Sequence, residues 1–416
     1  MFQKDRQYFQ FCAYGFLKNL RLFEPFLILF LKNEGMSFTQ IGILYAIREI
    51  ARGLFEIPGG VFADAVGRKK SLLLAFSAYL ISFITFYVSG NFWFFTIAFL
   101  LYAFGDAFRT GTHKAMIMTY LSLNNWSEYK VDYYGHTRSW SQIGSALSAV
   151  LAGFVVLITR EYKLAFLISI IPYGLELINL SLYPKYLDKP PGQKTGRKFA
   201  AQIRQTSRDF VKSFQNRAVW KSIISLSAYT GYYKASKDYI QPLIQVFALS
   251  LPLFVNQTSI QREAILIGVI YFSLYMSTSF IARRSGRWVI KQKSVQSAML
   301  ISLMSGAFLG LLSGIFILIG YNILAILLFM GIYMFENLRK PIGIGQIAEN
   351  TDQKVLASAL SVESQAETLF AAMFALILGF LIDKTSLGLG IIIVSALAML
   401  IPLVASLLRT PTQGRH

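Results

Sequence analysis

Long apolar stretches recur along the whole sequence, and they constrain the fold more than any other feature. Residues 72–88 and 391–408, for example, carry no charged side chain. An α-helix needs about 20 mostly apolar residues to cross a bilayer. With 55% hydrophobic residues over 416 positions, the chain has enough apolar sequence for about twelve such helices. The sequence therefore predicts an all-α polytopic membrane protein.

We predict twelve transmembrane helices in two six-helix halves. The first six cover residues 10–32, 38–62, 71–89, 93–120, 136–157 and 163–183, and the second six cover 219–247, 263–283, 294–319, 321–347, 355–383 and 388–408. The halves are 1–184 and 219–416, and a polar linker, 185–218, joins them. Within the linker, residues 197–216 space apolar side chains among basic ones, which fits either an amphipathic surface helix or a solvated connector.

The positive charge of the chain indicates an orientation in the membrane. A net charge of +19 is typical either of nucleic-acid binding or of the positive-inside bias of membrane proteins, and the apolar runs favour the second. The loops on one side of the predicted topology hold 23 Lys and Arg residues, and those on the other side hold 5. We therefore expect no nucleic-acid partner, both termini in the cytoplasm, and residence in the plasma (inner) membrane.

Cysteine usage and the start of the sequence add two expectations. Cys12 is the single cysteine, so no intramolecular disulfide can form. The first apolar stretch contains Lys18 and Arg21 and is followed by no small-residue cleavage site. We therefore expect no cleavable signal peptide.

The turn after the second predicted helix carries a recognisable motif. Its residues are Gly60, Asp64, Gly67, Arg68 and Lys69. This spacing resembles the loop signature of the major facilitator superfamily, except that Ala65 stands where that family usually has a basic residue. The resemblance implies the twelve-helix major facilitator fold, a gating role for these five residues, and a monomer.

Each motif residue has a physical reason for its position. Gly60 allows close helix packing, and Gly67 permits a tight turn. Asp64 is placed to cap a helix or to pair between the halves, whereas Arg68 and Lys69 can meet helix C-terminal carbonyls. After the eighth predicted helix, residues 283–287 give a degenerate second copy that lacks the aspartate.

Charged residues inside the predicted helices are the candidate functional residues, because each costs about 2.5–3.5 kcal/mol at the bilayer centre. They concentrate in the first, fourth, seventh and tenth helices, which line the central cavity in the fold that the motif suggests. The candidate binding or coupling residues are Arg21, Asp106, Arg109, His113, Lys234, Lys237, Asp238, Glu336, Arg339, Lys340 and, on the eleventh helix, Glu363.

Several candidates also have purely structural interpretations. Asp106 and Arg109 can neutralise each other within one helix, and Glu336 can do the same with Arg339 or Lys340. A hydrogen-bonded packing role for His113 is favoured over proton transfer or metal binding. Around Asp238, by contrast, two lysines share one acid, which favours contact with a substrate or with another helix.

The balance of these charges suggests a function. Apart from the terminal residues of each predicted helix, twelve basic and nine acidic side chains lie within the predicted helices, which favours an anionic solute. We predict a secondary active transporter of a small polar, anionic solute that works by alternating access, with protons as the coupling ion and Asp106, Glu336 or Glu363 as proton carriers. The alternative is a multidrug or metal-ion exporter of the same superfamily, with Glu56 and an Asp106–His113 pair as its motivating residues. No enzyme, cofactor or metal motif is found, and no soluble domain suggests a receptor.

Overall fold

The computed structural model describes residues 2–88, 90–188, 217–252, 256–282, 295–349 and 356–407. Over these ranges the chain is helical and contains no β-strand. In chain order the helices are α1 (Arg6–Leu17), α2 (Leu27–Asn33), α3 (Phe38–Val66), α4 (Arg68–Val88), α5 (Phe92–Arg109), α6 (Thr112–Leu123), α7 (Lys130–Thr159), α8 (Leu164–Ser181), α9 (Arg217–Ser236), α10 (Ile240–Ser250), α11 (Ser259–Ala282), α12 (Val295–Leu318), α13 (Asn322–Glu349), α14 (Leu356–Lys384) and α15 (Leu387–Leu407).

Eight helical segments of the described chain are long and apolar enough to cross a membrane. They are Arg68–Val88, Phe92–Leu123, Asp132–Thr159, Leu164–Ser181, Ser259–Ile281, Ser297–Leu318, Asn322–Ile347 and Leu360–Lys384. Four of the twelve predicted spans fail this criterion. The segments α1–α2, α3 and α9–α10 contain several charged residues, and the apolar part of α15 is short, Leu387–Pro402.

Three spans predicted as single helices are interrupted in the structure. The first breaks between α1 and α2, where Glu24–Phe26 forms a 3-10 turn. The fourth breaks at Gly111, whose φ is 78°, and the seventh breaks at the 3-10 turn Lys237–Tyr239. Each interruption adjoins charged side chains, and broken helices within a membrane occur where protein or a cavity satisfies the backbone.

The described helices group into two compact units, which we call the first unit and the second unit. The first comprises Met1–Met36, Ile47–Ile203 and Ile244–Met276, and the second comprises Ser37–Ala46, Arg204–Leu243 and Ser277–His416. In the first unit α4 packs against α5 and α8, and α1 packs against α7 and α8. In the second unit α9 packs against α14, and α12 packs against α13 and α15. The domain limits at 184 and 219 stay a prediction.

Small residues bring the site-bearing helices of the first unit together. A Cβ at Gly105 of α5 would lie 2.9 Å from the Tyr79 ring and 3.0 Å from the Ala75 carbonyl oxygen of α4. Only glycine therefore fits at this crossing, because any larger residue would push the two helices apart. The contact fixes Tyr79 beside the polar end of α5.

Many large apolar side chains point away from the protein. Leu54, Val88 and Trp93 are 70–76% exposed, and exposed leucines, isoleucines and phenylalanines occur on most of the other helices. A surface of this kind in water would be an association or aggregation site. In a bilayer it is the surface that contacts lipid tails.

Two sequence predictions lie outside the described residues. One is the amphipathic helix or connector at 197–216, and the other is the degenerate second motif at 283–287.

Candidate functional site

Charged side chains of the first unit meet at the interruption between α1 and α2. Lys18 and Arg21 lie in the interruption, and the Arg21 guanidinium is 3.7 Å from the Glu24 carboxylate. The Lys18 ammonium lies 5.5 Å from the centre of the Tyr14 ring. Among the described residues, no carboxylate comes within 4.0 Å of the Lys18 ammonium. The cluster therefore contains one cation without an ion-pair partner in this part of the chain.

The unwound backbone between α1 and α2 is held by α8. The Tyr173 hydroxyl donates to the Lys18 carbonyl oxygen at 2.9 Å, and the Leu22 N–H donates to the Ser169 hydroxyl at 3.2 Å. Side-chain partners thus replace part of the lost helical hydrogen bonding. The interruption is therefore stabilised by specific hydrogen bonds, and it determines the positions of the Lys18 and Arg21 side chains.

Asp106 and Arg109 lie at the end of α5 and join the same cluster. An Arg109 guanidinium nitrogen is 2.9 Å from the Asp106 carboxylate. Tyr79 links them, because its hydroxyl donates to Asp106 and accepts from Arg109 Nε at 3.0 Å. The pair is neutralised within its own helix, yet both side chains keep 16–19% of their surface exposed. Both side chains are therefore partly exposed.

The balance of this first-unit cluster is positive. Its charged members are Lys18, Arg21, Arg109, Glu24 and Asp106, which gives three cations against two carboxylates. Aromatic rings surround them, with Tyr79 5.1 Å from Tyr102 and 5.3 Å from Tyr173 between ring centres. An arrangement of this kind attracts an anion and offers it hydroxyl donors.

His113 does not share the α5 face with Asp106 and Arg109, because the break at Gly111 places it on α6. Its ring stacks on Tyr14 at 3.4 Å with an interplanar angle of 5°. Its Nε2 lies 3.1 Å from the Tyr183 hydroxyl. The surroundings are those of a packed, hydrogen-bonded histidine. In the described ranges, no three His, Cys, Asp or Glu side chains are placed to hold a metal ion.

The second unit contains its own charged cluster, centred on Glu367 of α14. The Lys234 ammonium contacts one Glu367 carboxylate oxygen, and the Lys340 ammonium lies 3.2 Å from the other. The Glu367 carboxylate is 5% exposed. Helices α9, α13 and α14 are therefore joined through one buried carboxylate.

Two further carboxylates of the second unit have no ion-pair partner within 4.0 Å among the described residues. Glu336 accepts hydrogen bonds from the Thr230 hydroxyl at 3.0 and 3.2 Å. Glu363 is 6% exposed, and its Oε1 accepts no hydrogen bond in the described part of the chain. Glu336 therefore forms no ion pair with Arg339 or Lys340 within 4.0 Å, although both cations act on it electrostatically.

Arg339 is enclosed by protein. It is 0% exposed, and its guanidinium donates to the Ser302 hydroxyl and the Ser225 carbonyl oxygen at 3.1 Å each. The guanidinium also lies 4.6 Å from the centre of the Tyr229 ring. These contacts join α9, α12 and α13, so the structure gives Arg339 a packing position.

Lys237 and Asp238 lie at the break between α9 and α10. The Lys237 ammonium is 3.1 Å from the Asp238 carboxylate, and the Tyr45 hydroxyl donates to the same carboxylate at 3.1 Å. Tyr333 donates to the Lys237 carbonyl oxygen at 2.6 Å. Asp238 is 1% exposed. Contacts from α3 and α13 therefore hold the break between α9 and α10 inside the second unit.

The motif turn between α3 and α4 places two basic residues at helix ends. Gly67 has a φ of 131°, a conformation that favours glycine. Arg68 donates to the Ala115 carbonyl oxygen at 3.2 Å and the Thr119 hydroxyl at 2.7 Å. Lys69 donates to two carbonyl oxygens, at 2.6 and 2.8 Å, where α8 ends. Both side chains therefore bond to carbonyl groups of neighbouring helices.

The other two motif residues differ in their surroundings. Gly60 is exposed, and a Cβ there would meet no described atom within 4 Å. Close packing was expected at Gly60 but occurs at Gly59, where a Cβ would lie 3.1 Å from Phe108. Asp64 is partly exposed and bonds to no described residue. Its suggested capping or pairing role stays a prediction.

Comparison with known proteins decides the family. A family model described as Major Facilitator Superfamily matches residues 10–362. The chain belongs to the major facilitator superfamily. With its long apolar helices, this membership makes it a multi-pass membrane transporter.

Individual relatives support the same assignment. Over 106 residues the chain is 31% identical to an uncharacterized MFS-type transporter, YxaM, from Bacillus subtilis (strain 168), an alignment that covers 25% of this chain and 27% of that protein. A mutant form of the nucleoside transporter NupG superimposes with a TM-score of 0.77 at 14% identity, covering 96% of this chain and 98% of that one. A POT family transporter in complex with 5-aminolevulinic acid gives 0.69 at 15% identity, covering 95% and 93%. At these identities the solved structures show the fold.

Two residues that are central to these clusters, Lys18 and Glu367, were recognised from the sequence as charges within predicted helices but were not proposed as site residues. Glu367 follows Glu363 by one helical turn, and this i, i+4 spacing was the available signal. Tyr79, Tyr102 and Tyr173 gave no signal, because the chain contains 22 tyrosines.

Proposed function

We propose that this transporter carries a small anionic solute by alternating access and that protons drive it. The proposed topology has twelve spans, with both termini in the cytoplasm. Eight apolar segments and the four segments α1–α2, α3, α9–α10 and α15 make up this number. Two of those four, α1–α2 and α9–α10, are interrupted, and three of the four contain several charged residues, which is why they do not count as long apolar helices. A span that contributes to a polar site is expected to be less apolar.

The proposal rests mainly on the surroundings of the Lys18 ammonium. It lies beside Arg21 at a helix interruption, with no described carboxylate within 4.0 Å. A half-buried cation without a partner costs free energy unless water or a bound anion compensates it. Discontinuous helices also form solute sites near the bilayer midplane in other transporters. A solute carboxylate or phosphate would complete this cluster.

The second unit supplies the proposed proton carriers. Glu363 is buried and lacks an ion-pair partner among the described residues, whereas Glu367 beside it is held by two lysines. A buried carboxyl group without a cation avoids the cost of charge burial by binding a proton. We therefore assign proton exchange to Glu363 in preference to Glu367 or Asp106.

Anion binding is tested by the thermal stability of the purified full-length protein with benzoate, glutamate or inorganic phosphate. Ligand binding to the folded state raises the Tm. We expect at least one anion to raise the Tm. Lys18→Gln should lower the binding affinity for that anion about tenfold or more. Lys32→Gln, an exposed lysine of α2, is the matched control and keeps the wild-type response. A response to lipophilic cations such as tetraphenylphosphonium, with none to the three anions, contradicts the proposal and favours the drug-exporter alternative.

Proton coupling is tested in proteoliposomes with the anion that binds. An inwardly directed proton gradient should accelerate uptake in the wild type and in Glu161→Gln, which changes an exposed residue. Glu363→Gln should still exchange solute but should respond less to the gradient than the wild type does. Uptake that is indifferent to the gradient in the wild type would exclude proton coupling.

A further inference from the structure

Helix α8 presents a polar face to α1. Tyr173 donates to the Lys18 carbonyl oxygen at 2.9 Å. Farther along the same face, Asn179 and Tyr183 donate to the Gln10 carbonyl oxygen at 3.1 and 3.2 Å. Glu176 lies between these contacts, one turn from Tyr173 and one turn from Asn179. Its carboxyl group is therefore placed against the middle of α1.

Glu176 is a buried carboxyl group that the anion site and Glu363 leave unexplained. It is 0% exposed. Its hydrogen-bond donor in the described chain is the Asn179 amide, at 3.2 and 3.0 Å from the two oxygens. No Lys, Arg or His of the described chain comes within 4.0 Å. A carboxylate in such surroundings is costly, and a bound proton removes that cost.

The cation that acts electrostatically on Glu176 is Lys18. The Tyr14 ring centre is 5.5 Å from the Lys18 ammonium. The Tyr14 hydroxyl is buried and has no hydrogen-bond partner in the described chain. Lys18, Tyr14 and Glu176 therefore share the region where α8 packs against α1.

Other titratable and charged groups surround this pair. They are Arg21 in the interruption, Tyr79 on α4, Asp106 and Arg109 on α5, His113 on α6, Tyr133 and Arg138 on α7, Tyr173 on α8, and Tyr183 just after α8. Asp106 is the second carboxylate, and it is paired with Arg109 at 2.9 Å. Glu176 is therefore the acid through which a proton can change the charge facing Lys18 from α8.

We propose that Glu176 binds an exchangeable proton and thereby controls the anion affinity of Lys18. With the proton bound, Glu176 is neutral and the Lys18 ammonium is available to a solute anion. When the proton leaves for water, the Glu176 carboxylate attracts the same ammonium and competes with the solute. Proton and anion then bind together, within the first unit. The inference rests on the anion site proposed above, to which it adds a second proton position.

The test is infrared difference spectroscopy of the full-length protein, which needs no transported solute. Glu176 and Glu363, the two carboxyl groups proposed to hold protons, should both contribute a C=O stretch at neutral pH in the wild type, and the Glu176 contribution should be lost in Glu176→Gln. Glutamine keeps the oxygen that Asn179 contacts, so the fold is expected to survive. Glu161→Gln, at an exposed position, should leave this band unchanged. A band of unchanged intensity in Glu176→Gln overturns the proposal.

Lys18→Gln distinguishes two roles of Glu176, proton binding that is coupled to Lys18 and a purely structural role. Without the neighbouring cation, the Glu176 band should persist to a pH about 1–3 units higher than in the wild type. An unchanged band shows that Lys18 and Glu176 are not coupled and also overturns the proposal. This measurement remains decisive if Glu176→Gln does not fold. Failure of the benzoate, glutamate and phosphate screen would overturn the anion site, whereas failure here would overturn the proton site alone.

Discussion

The carboxylate of Asp188 accepts the backbone N–H of Lys69 at 2.7 Å, although 119 residues separate them in the chain. The Asp188 carbonyl oxygen also accepts the Arg68 N–H at 3.1 Å. Helix α4 begins at Arg68, so these are N–H groups that no residue within the helix can satisfy. The cap of α4 is therefore supplied by the segment that follows α8, and it ties the motif turn to the start of the linker.

Removing this cap should lower stability by a modest, measurable amount. We expect Asp188→Ala to reduce the free energy of unfolding by about 1 kcal/mol, the usual value of a capping side chain. Asp188→Asn keeps an acceptor oxygen and should lose less. Denaturant unfolding in detergent measures both, with the exposed Lys70→Gln as control. Equal stability of the alanine and wild-type proteins would show that the contact contributes nothing.

Gly67 provides an independent check on the same contact. A Cβ at this position would lie 2.6 Å from both Asp188 carboxylate oxygens, and its φ of 131° is strained for any other residue. Gly67→Ala should therefore be less destabilising in an Asp188→Ala background, because the clash is relieved while the strain remains. Additive effects in this double-mutant cycle would contradict the contact.

Local features of this fold could be predicted from the sequence, whereas long-range ones could not. The third helix was expected at 71–89 and occurs at Arg68–Val88, because an uninterrupted apolar run defines it. The Asp106–Arg109 pair was also expected, since residues three apart on a helix are neighbours. The sharing of Glu367 by Lys234 and Lys340 depends on how three helices pack, and a single sequence contains no direct record of that packing.

Helix interruptions were the other feature that the sequence left open. Gly and Pro occur throughout the predicted helices, and membrane helices tolerate both. Pro58 and Pro341 lie inside continuous helices, whereas the chain breaks at Gly111. Tertiary partners decide between these outcomes, as the Ser169 hydroxyl does for the Leu22 N–H.

Tyr79 should affect function more than stability. Its hydroxyl donates to Asp106 and accepts from Arg109, so it sets the geometry of one cation at the proposed anion site. Hydrogen bonds to charged groups contribute about 1.5–3 kcal/mol, and we expect Tyr79→Phe to weaken anion binding about tenfold. The anion-induced rise in Tm measures this loss. Tyr87→Phe, about two turns farther along α4, alters neither of these bonds and should behave like the wild type. Equal losses in the two variants would refute the assignment.

Loss of the Glu367 charge should lower stability, whereas loss of the Glu363 charge should not. Glu367→Gln removes the carboxylate that Lys234 and Lys340 share, and breaking a buried ion pair typically costs about 3–5 kcal/mol. We expect about 3 kcal/mol, since the Lys340 side chain is 41% exposed and water can solvate part of its charge. Glu363→Gln, the matched variant one turn away, should keep wild-type stability. Thermal melts in detergent compare them directly, and similar Tm values for both variants would refute the pairing.

Arg339 should contribute to the stability of the folded protein and not to solute recognition. Its guanidinium holds the Ser302 hydroxyl and the Ser225 carbonyl oxygen inside the second unit, and each buried polar group left without a partner costs about 1–3 kcal/mol. We therefore expect Arg339→Met to lower the free energy of unfolding by about 3 kcal/mol. Ser302→Ala should cost about 2 kcal/mol, because the hydroxyl loses both the bond from Arg339 and its own bond to the Met299 carbonyl oxygen. The folded fraction of either variant should bind the selected anion with wild-type affinity, as measured by titration of purified protein. A large loss of affinity in Ser302→Ala without a loss of stability would instead place Arg339 in the solute site.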